Sequence, residues 1–243
     1  MRSDFLFAVW PYVALALFAL AVAIRYLLAR RPMAVAAEIG IRGSSEAFRG
    51  GVLWRAGVAL LVLGHLAGML LPKEILAWNV SPKRLYLLEG VAFSSGLAAL
   101  VGWIGLIWRR LGRGEGSRAA ETADVAFLSV LGVALASGLL TAVLHRWGSS
   151  WGVAILTPYT LSVLRGRPVA DLARQLPYLA QLHVAAAFVA LAVVPWTRLG
   201  AILVLALHRV LQAMGKPVAP AAVAVEAWLR KLDPRPWIWP DED

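Results

Sequence analysis

The chain alternates between long apolar runs and short polar stretches rich in arginine. A helix crossing a bilayer core about 30 Å thick needs roughly 20 mostly apolar residues. Five segments meet that length: 5–28, 51–72, 85–108, 124–144 and 178–205. The first exceeds the about 7–15 residues of a signal-peptide core, and Arg30 and Arg31 follow it in place of a small-residue cleavage site, so it is expected to be retained. A further apolar run, 151–164, is too short to span and lies inside a long connection, 146–177. It reads as an interfacial or re-entrant helix. Ser81-Pro82 reads as a helix start, with serine as N-cap and proline in the first helical position. Asp124 is expected to open the fourth helix in the same way. The tail beyond Lys216, with several prolines and with Trp237 and Trp239, reads as a docking or surface segment. The predicted architecture is an all-α integral membrane protein. Five transmembrane helices form a bundle over 1–209, and 210–243 form a C-terminal tail.

Composition removes the main competitors. Of 243 residues, 60% are hydrophobic and 16% charged, against about 45–50% and about 25% in soluble domains. A soluble enzyme of this size has no place for so many apolar side chains. The formal charge of +10 would suit nucleic acid, but the basic residues sit between the apolar runs, where they set topology. Fourteen of them, including Arg30, Arg109, Arg113, Arg198 and Arg230, fall on the side of the first loop, third loop and C-terminus; eight, including Lys73, Lys83, Arg84 and Arg146, fall on the other. The positive-inside rule then puts the N-terminus outside and the C-terminus in the cytoplasm. No nucleic-acid partner is expected. The absence of cysteine excludes disulfides, cysteine-held iron–sulfur clusters, thiolate zinc sites and covalent c-type haem.

The candidate chemistry lies in four histidines: His65, His145, His183 and His208. His65 is seven residues before Pro72, about 10 Å from the outer end of the second span at about 1.5 Å per residue. His183 is five residues after Tyr178, about 8 Å from the same face. Two imidazoles at matching depth on antiparallel helices can ligate one haem iron from both sides, and such ligation suits electron transfer because no position is left open. Gly64 and Gly68 flank His65 and would let a flat macrocycle approach the backbone. The same histidines could instead bond between helices or line a proton path. The residues alone leave both open.

The sequence also resembles the gamma subunit of respiratory nitrate reductase, a five-helix cytochrome b membrane anchor. The resemblance rests on Trp10-Pro11-Tyr12 and Arg25-Tyr26 in the first span and on Gly64-His65-Leu66-Ala67-Gly68-Met69-Leu70 in the second. Thr122-Ala123-Asp124 and Gly138-Leu139-Leu140-Thr141 carry it in the fourth, and Leu182-His183 and Pro195-Trp196-Thr197-Arg198-Leu199 in the fifth. It stops near Val210. It implies that His65 and His183 are the axial ligands of an outer haem b. The family's inner haem would need histidines at positions that here are Arg55 and Ala201. The implied cofactor is therefore one haem b. Arg55 can snorkel to the interface, or meet a lipid phosphate or another residue in the vacated volume. His208 lies too deep to substitute and reads as a cytoplasmic surface residue. His145 could meet a haem propionate or lie near a quinone, and an interfacial side chain without special role fits it as well.

The resemblance further implies a subunit that oxidises a membrane quinol and exchanges electrons with an iron–sulfur subunit and a molybdenum catalytic subunit. A basic residue at the start of the third helix contributes to the quinone site in the family; here that is Arg84, with Lys83 adjacent. Lys83, Tyr86 and Glu89 follow at three-residue steps on one helical face. With Gly64 they complete the candidate quinone site. Glu89, an acid about one turn inside the membrane, is expected either to accept a proton or to pair with Lys83 or Arg146. One haem near the outer face would lie about 20 Å or more from the cytoplasmic surface. The catalytic partner could sit outside, another redox subunit could bridge the gap, or an inner haem could be held unusually; the first is favoured. Two further classes stand beside this reading: a haem-free anchor or assembly subunit, and a transporter with histidine relays, for which the chain shows neither repeats nor a broken-helix pair.

Overall fold

The computed structural model describes residues 5–27, 51–111 and 118–197, together with 199, 200, 207 and 210. A π-helical turn, Phe5–Val9, leads into α1 (Trp10–Leu27). Then come α2 (Val52–Leu70), the short α3 (Pro72–Trp78) and α4 (Pro82–Leu111). They are followed by α5 (Arg118–Leu144), α6 (Gly148–Leu164), α7 (Ala170–Arg174) and α8 (Tyr178–Val193). Five of these stretches are long and apolar enough to cross a membrane: Phe5–Tyr26, Val52–Leu70, Pro82–Trp108, Thr122–Leu144 and Tyr178–Trp196. Helices are the expected answer there, because in hydrocarbon each backbone N–H must find its carbonyl within its own segment. Their outward faces are apolar, with Leu60, Leu63, Leu87, Val101 and Val143 among the exposed side chains. A water-facing surface would not carry that much apolar area.

Two boundaries depart from the expected ones. Asp124 does not open the fourth helix: α5 starts at Arg118, and Asp124 is fully buried in it. Asp124 lies near Arg25 of α1 and is not an N-cap. The fifth span does not run regularly to residue 205. Proline at 195 has no N–H to donate to the helical ladder, and α8 passes into a 3-10 turn, Val194–Trp196. Arg25 Nη1 donates to the carbonyls of Pro195 and Thr197, the latter at 2.6 Å. Pro82 does begin α4, as the sequence indicated, and the Ser81 carbonyl accepts from Leu85 N–H.

The helices pack in the order α2, α4, α5, α8, α1. Glycines set the closest approaches. A Cβ on Gly57 would meet the backbone of Ala99 at 2.5 Å, and one on Gly102 would meet that of Trp54 at 2.6 Å, so α2 and α4 touch main chain to main chain. Trp103 fills the hollow at Gly132 and donates its indole N–H to Leu128 O at 2.9 Å, which joins α4 to α5. α2 and α8 share no such extended contact. One end of the bundle, here called the upper end, carries α3, α6 and α7. There α6 runs across several helices. Ser149 meets α4, Thr157 bonds Gly68 O of α2 at 2.9 Å, and Tyr159 bonds Phe7 O at 3.0 Å. Tyr12 of α1 returns a bond to Val163 O, also at 3.0 Å. The run 151–164 is thus a helix laid over the upper end and not a sixth span.

Candidate functional site

His65 and His183 come together. Their ring centres are 5.9 Å apart with planes tilted by 33°. Each ring is fixed through its Nδ1, which meets Leu61 O at 2.7 Å in His65 and Ala134 O at 2.8 Å in His183. Only a protonated Nδ1 can donate to a carbonyl, so in both residues Nε2 is the nitrogen left with a lone pair. Metal-binding histidines use this arrangement, one nitrogen bonded to a backbone acceptor and the other to the metal. With metal–imidazole bonds of about 2 Å, two rings facing one metal stand about 6 Å apart between centres.

The surroundings leave room for a flat group. The two histidines sit on α2 and α8, which do not pack along each other. A Cβ on Gly64 would meet nothing within 4 Å. Gly68 has a different task from the one expected: it is buried, faces Val153 of α6 at 3.2 Å and offers its carbonyl to Thr157. Gly138 is a residue that the histidine argument did not single out. A Cβ there would press on His183 Cε1 and Nδ1 at 3.0 Å, so the missing side chain is what seats the ring. Its signal lay in the Gly138-Leu139-Leu140-Thr141 stretch, but nothing in that stretch says which residue it faces.

The remaining candidates divide. Tyr86 and Glu89 share a face of α4 and meet the same segment. Tyr86 packs edge-on against Trp147, ring centres 5.0 Å apart, and Glu89 Oε1 accepts from both N–H (2.7 Å) and Oγ–H (2.6 Å) of Ser149. The partner of Glu89 is therefore the N-terminus of α6, a favourable place for a carboxylate, and neither Lys83 nor Arg146. Arg84 turns away, its guanidinium 5.2 Å from the centre of the Trp78 ring while Trp78 Nε1 donates to Arg84 O. Lys83 is exposed. The ring of His145 makes no hydrogen bond among the described residues, and its backbone N–H closes the last turn of α5 on Thr141 O. Arg55 is exposed one turn into α2. Ala201, His208 and nearly all of 210–243 lie outside the described residues.

A family model described as nitrate reductase gamma subunit matches residues 3–214. The chain is 30% identical over 148 residues to the respiratory nitrate reductase 2 gamma chain of Escherichia coli (strain K12), a match covering 56% of this chain and 61% of that one, less than two thirds of its length. It is 23% identical over 202 residues to the nitrate reductase gamma chain of Bacillus subtilis (strain 168), covering 82% and 90%. The match takes in all five spans and both histidines, and so this chain belongs to the nitrate reductase gamma subunit family and is a multi-pass protein of the bacterial type of cytoplasmic membrane.

Proposed function

We propose that this chain holds one haem b between His65 and His183 and exchanges electrons between the quinone pool and the iron–sulfur and molybdenum subunits of a nitrate reductase-like complex. The observation that carries the reading is the histidine pair itself: rings 5.9 Å apart, each Nδ1 tied to a carbonyl, on two helices that do not close on one another. Bound there, haem supplies reversible one-electron storage with no open iron position for oxygen. The chain's own residues do the rest. Leu61 O and Ala134 O fix the ring tautomers and orientations. Tyr86 and Glu89, which meet the same segment, line the quinone site, and Glu89 takes up a proton released as a quinol is oxidised. The N-terminus lies outside, the tail 210–243 reaches the cytoplasm, and lipid surrounds the five spans.

The test is a reduced-minus-oxidised spectrum of the purified chain. A b-type band is expected, and its absence would leave a haem-free anchor. His65→Ala and His183→Ala are each expected to remove the band entirely; a band surviving in both variants overturns the ligand assignment.

A further inference from the structure

The two histidines are held unequally. His65 Nδ1–H donates to Leu61 O, one turn back on its own helix, at 2.7 Å. His183 reaches across to α5, where its Nδ1–H meets Ala134 O at 2.8 Å. Each carbonyl also takes one N–H of its helical ladder, that of His65 at Leu61 O and that of Gly138 at Ala134 O. Among the described residues, only Ala134 O has a further donor. Ser137 Oγ stands 2.7 Å from Val133 O and 3.1 Å from Ala134 O. A hydroxyl carries one hydrogen, so the bond is three-centred, and its longer arm falls on the carbonyl that seats His183. Other serines in the spans do not do this. Ser95 and Ser129 each donate to the carbonyl four residues back.

Ser137 is 3% exposed, and both arms of its bond stay on its own helix. Alanine would fill the same place with a better helix propensity. What serine adds is a third donor at Ala134 O. A carbonyl oxygen has two lone pairs, so three donors cannot each take one. The His183 bond is therefore weaker than it would be beside alanine. Its strength reaches the other ring nitrogen. As Nδ1–H is drawn to an acceptor, Nε2 becomes more electron-rich and a stronger donor to a metal. A stronger donor stabilises oxidised iron over reduced iron and lowers the potential. Diluting the bond acts the other way.

We propose that Ser137 is a positioning residue that, by sharing Ala134 O, keeps Nε2 of His183 a weaker donor and raises the reduction potential of the haem held by the histidine pair. A higher potential makes that haem a better acceptor of electrons from a quinol. The inference rests on the haem reading above.

The test has two readouts on the full chain in detergent. The first needs no haem. The chain has four histidines, so isotope labelling of histidine alone leaves few imidazole N–H signals in an NMR spectrum of the haem-free protein. Loss of a signal in His65→Ala and in His183→Ala identifies each. Ser137→Ala is expected to move the His183 Nδ1–H signal downfield, as a strengthened hydrogen bond does, and to leave that of His65 in place. The second readout is a spectropotentiometric titration of the haem-loaded chain. At a fixed potential near the midpoint, the ratio of reduced to oxidised haem is expected to fall roughly threefold in Ser137→Ala, as part of one hydrogen bond implies. Ser129→Ala, which removes an ordinary backbone bond on the same helix, is expected to change neither. An unmoved His183 signal, a shift shared equally by His65, or a ratio that stays or rises overturns the proposal. Should Ser137→Ala not fold, Ser137→Cys, close in size and a weak donor, is expected to move both readouts in the same directions, and the same outcomes overturn it. Absence of the b-type band defeats the haem reading, whereas a serine that does not share the carbonyl is exposed by the haem-free signals, so the two failures are read apart.

Discussion

At the scale of single residues, the histidines are held as much by what is missing beside them as by what they bond. His183 sits where Gly138 lacks a side chain, with contacts a Cβ would make at 3.0 Å. Gly138→Ala must therefore move the imidazole by a few tenths of an ångström while Ala134 O still holds its Nδ1. Disturbing the shell around a metal-binding histidine weakens the site roughly 10-fold or more. Haem is expected to leave the Gly138→Ala chain roughly 10-fold faster when an apo-globin acceptor is added, a rate read from the Soret band. Gly90→Ala, whose Cβ would meet nothing within 4 Å, serves as the unaffected control. The histidine pair was legible in the sequence because two rare residues stood at one depth in apolar runs. Gly138 and Ser137 were not. One is a glycine among 21, and the other shares with His183 a carbonyl that only the packing of α8 on α5 brings within reach of both.

At the scale of elements, the spans were readable and their ends were not. Length and hydropathy locate an apolar helix to within a turn. They say nothing of Asp124, which is buried near Arg25 on a helix distant in sequence, or of the break at Pro195, where Arg25 holds the carbonyls of Pro195 and Thr197. α6 is similar: its length excluded a crossing, and only the tertiary contacts reveal that it ties α1, α2 and α4 together. Those ties are few and specific. Thr157→Val leaves Gly68 O without its donor, and Tyr159→Phe does the same to Phe7 O, both in buried surroundings. Each is expected to destabilise the chain by about 1–3 kcal/mol, seen as a lower unfolding temperature in detergent. Because Thr157 acts on α2 and Tyr159 on the turn before α1, contacts that share no partner, the two losses are expected to add in the double variant. A double variant no worse than either single one would show that α6 releases as a unit.

At the scale of the whole molecule, the proposed function implies one haem, held between His65 and His183. Only His65 and His183 offer facing imidazoles among the described residues. About 15 Å further along α2, at about 1.5 Å per residue, the position that a second axial histidine would take is Arg55, which is exposed. On the opposing side, regular α8 stops at Val193 and Arg25 is bonded to the carbonyls that follow. Neither Arg55 nor the broken end of α8 offers an imidazole among the described residues. Pyridine haemochrome analysis is therefore expected to return one haem per chain. Arg55→His should leave that number at one, since restoring a ligand on α2 supplies no partner across from it and leaves the Arg25 contacts in place. A value near two, in either the wild-type chain or this variant, overturns the one-haem reading.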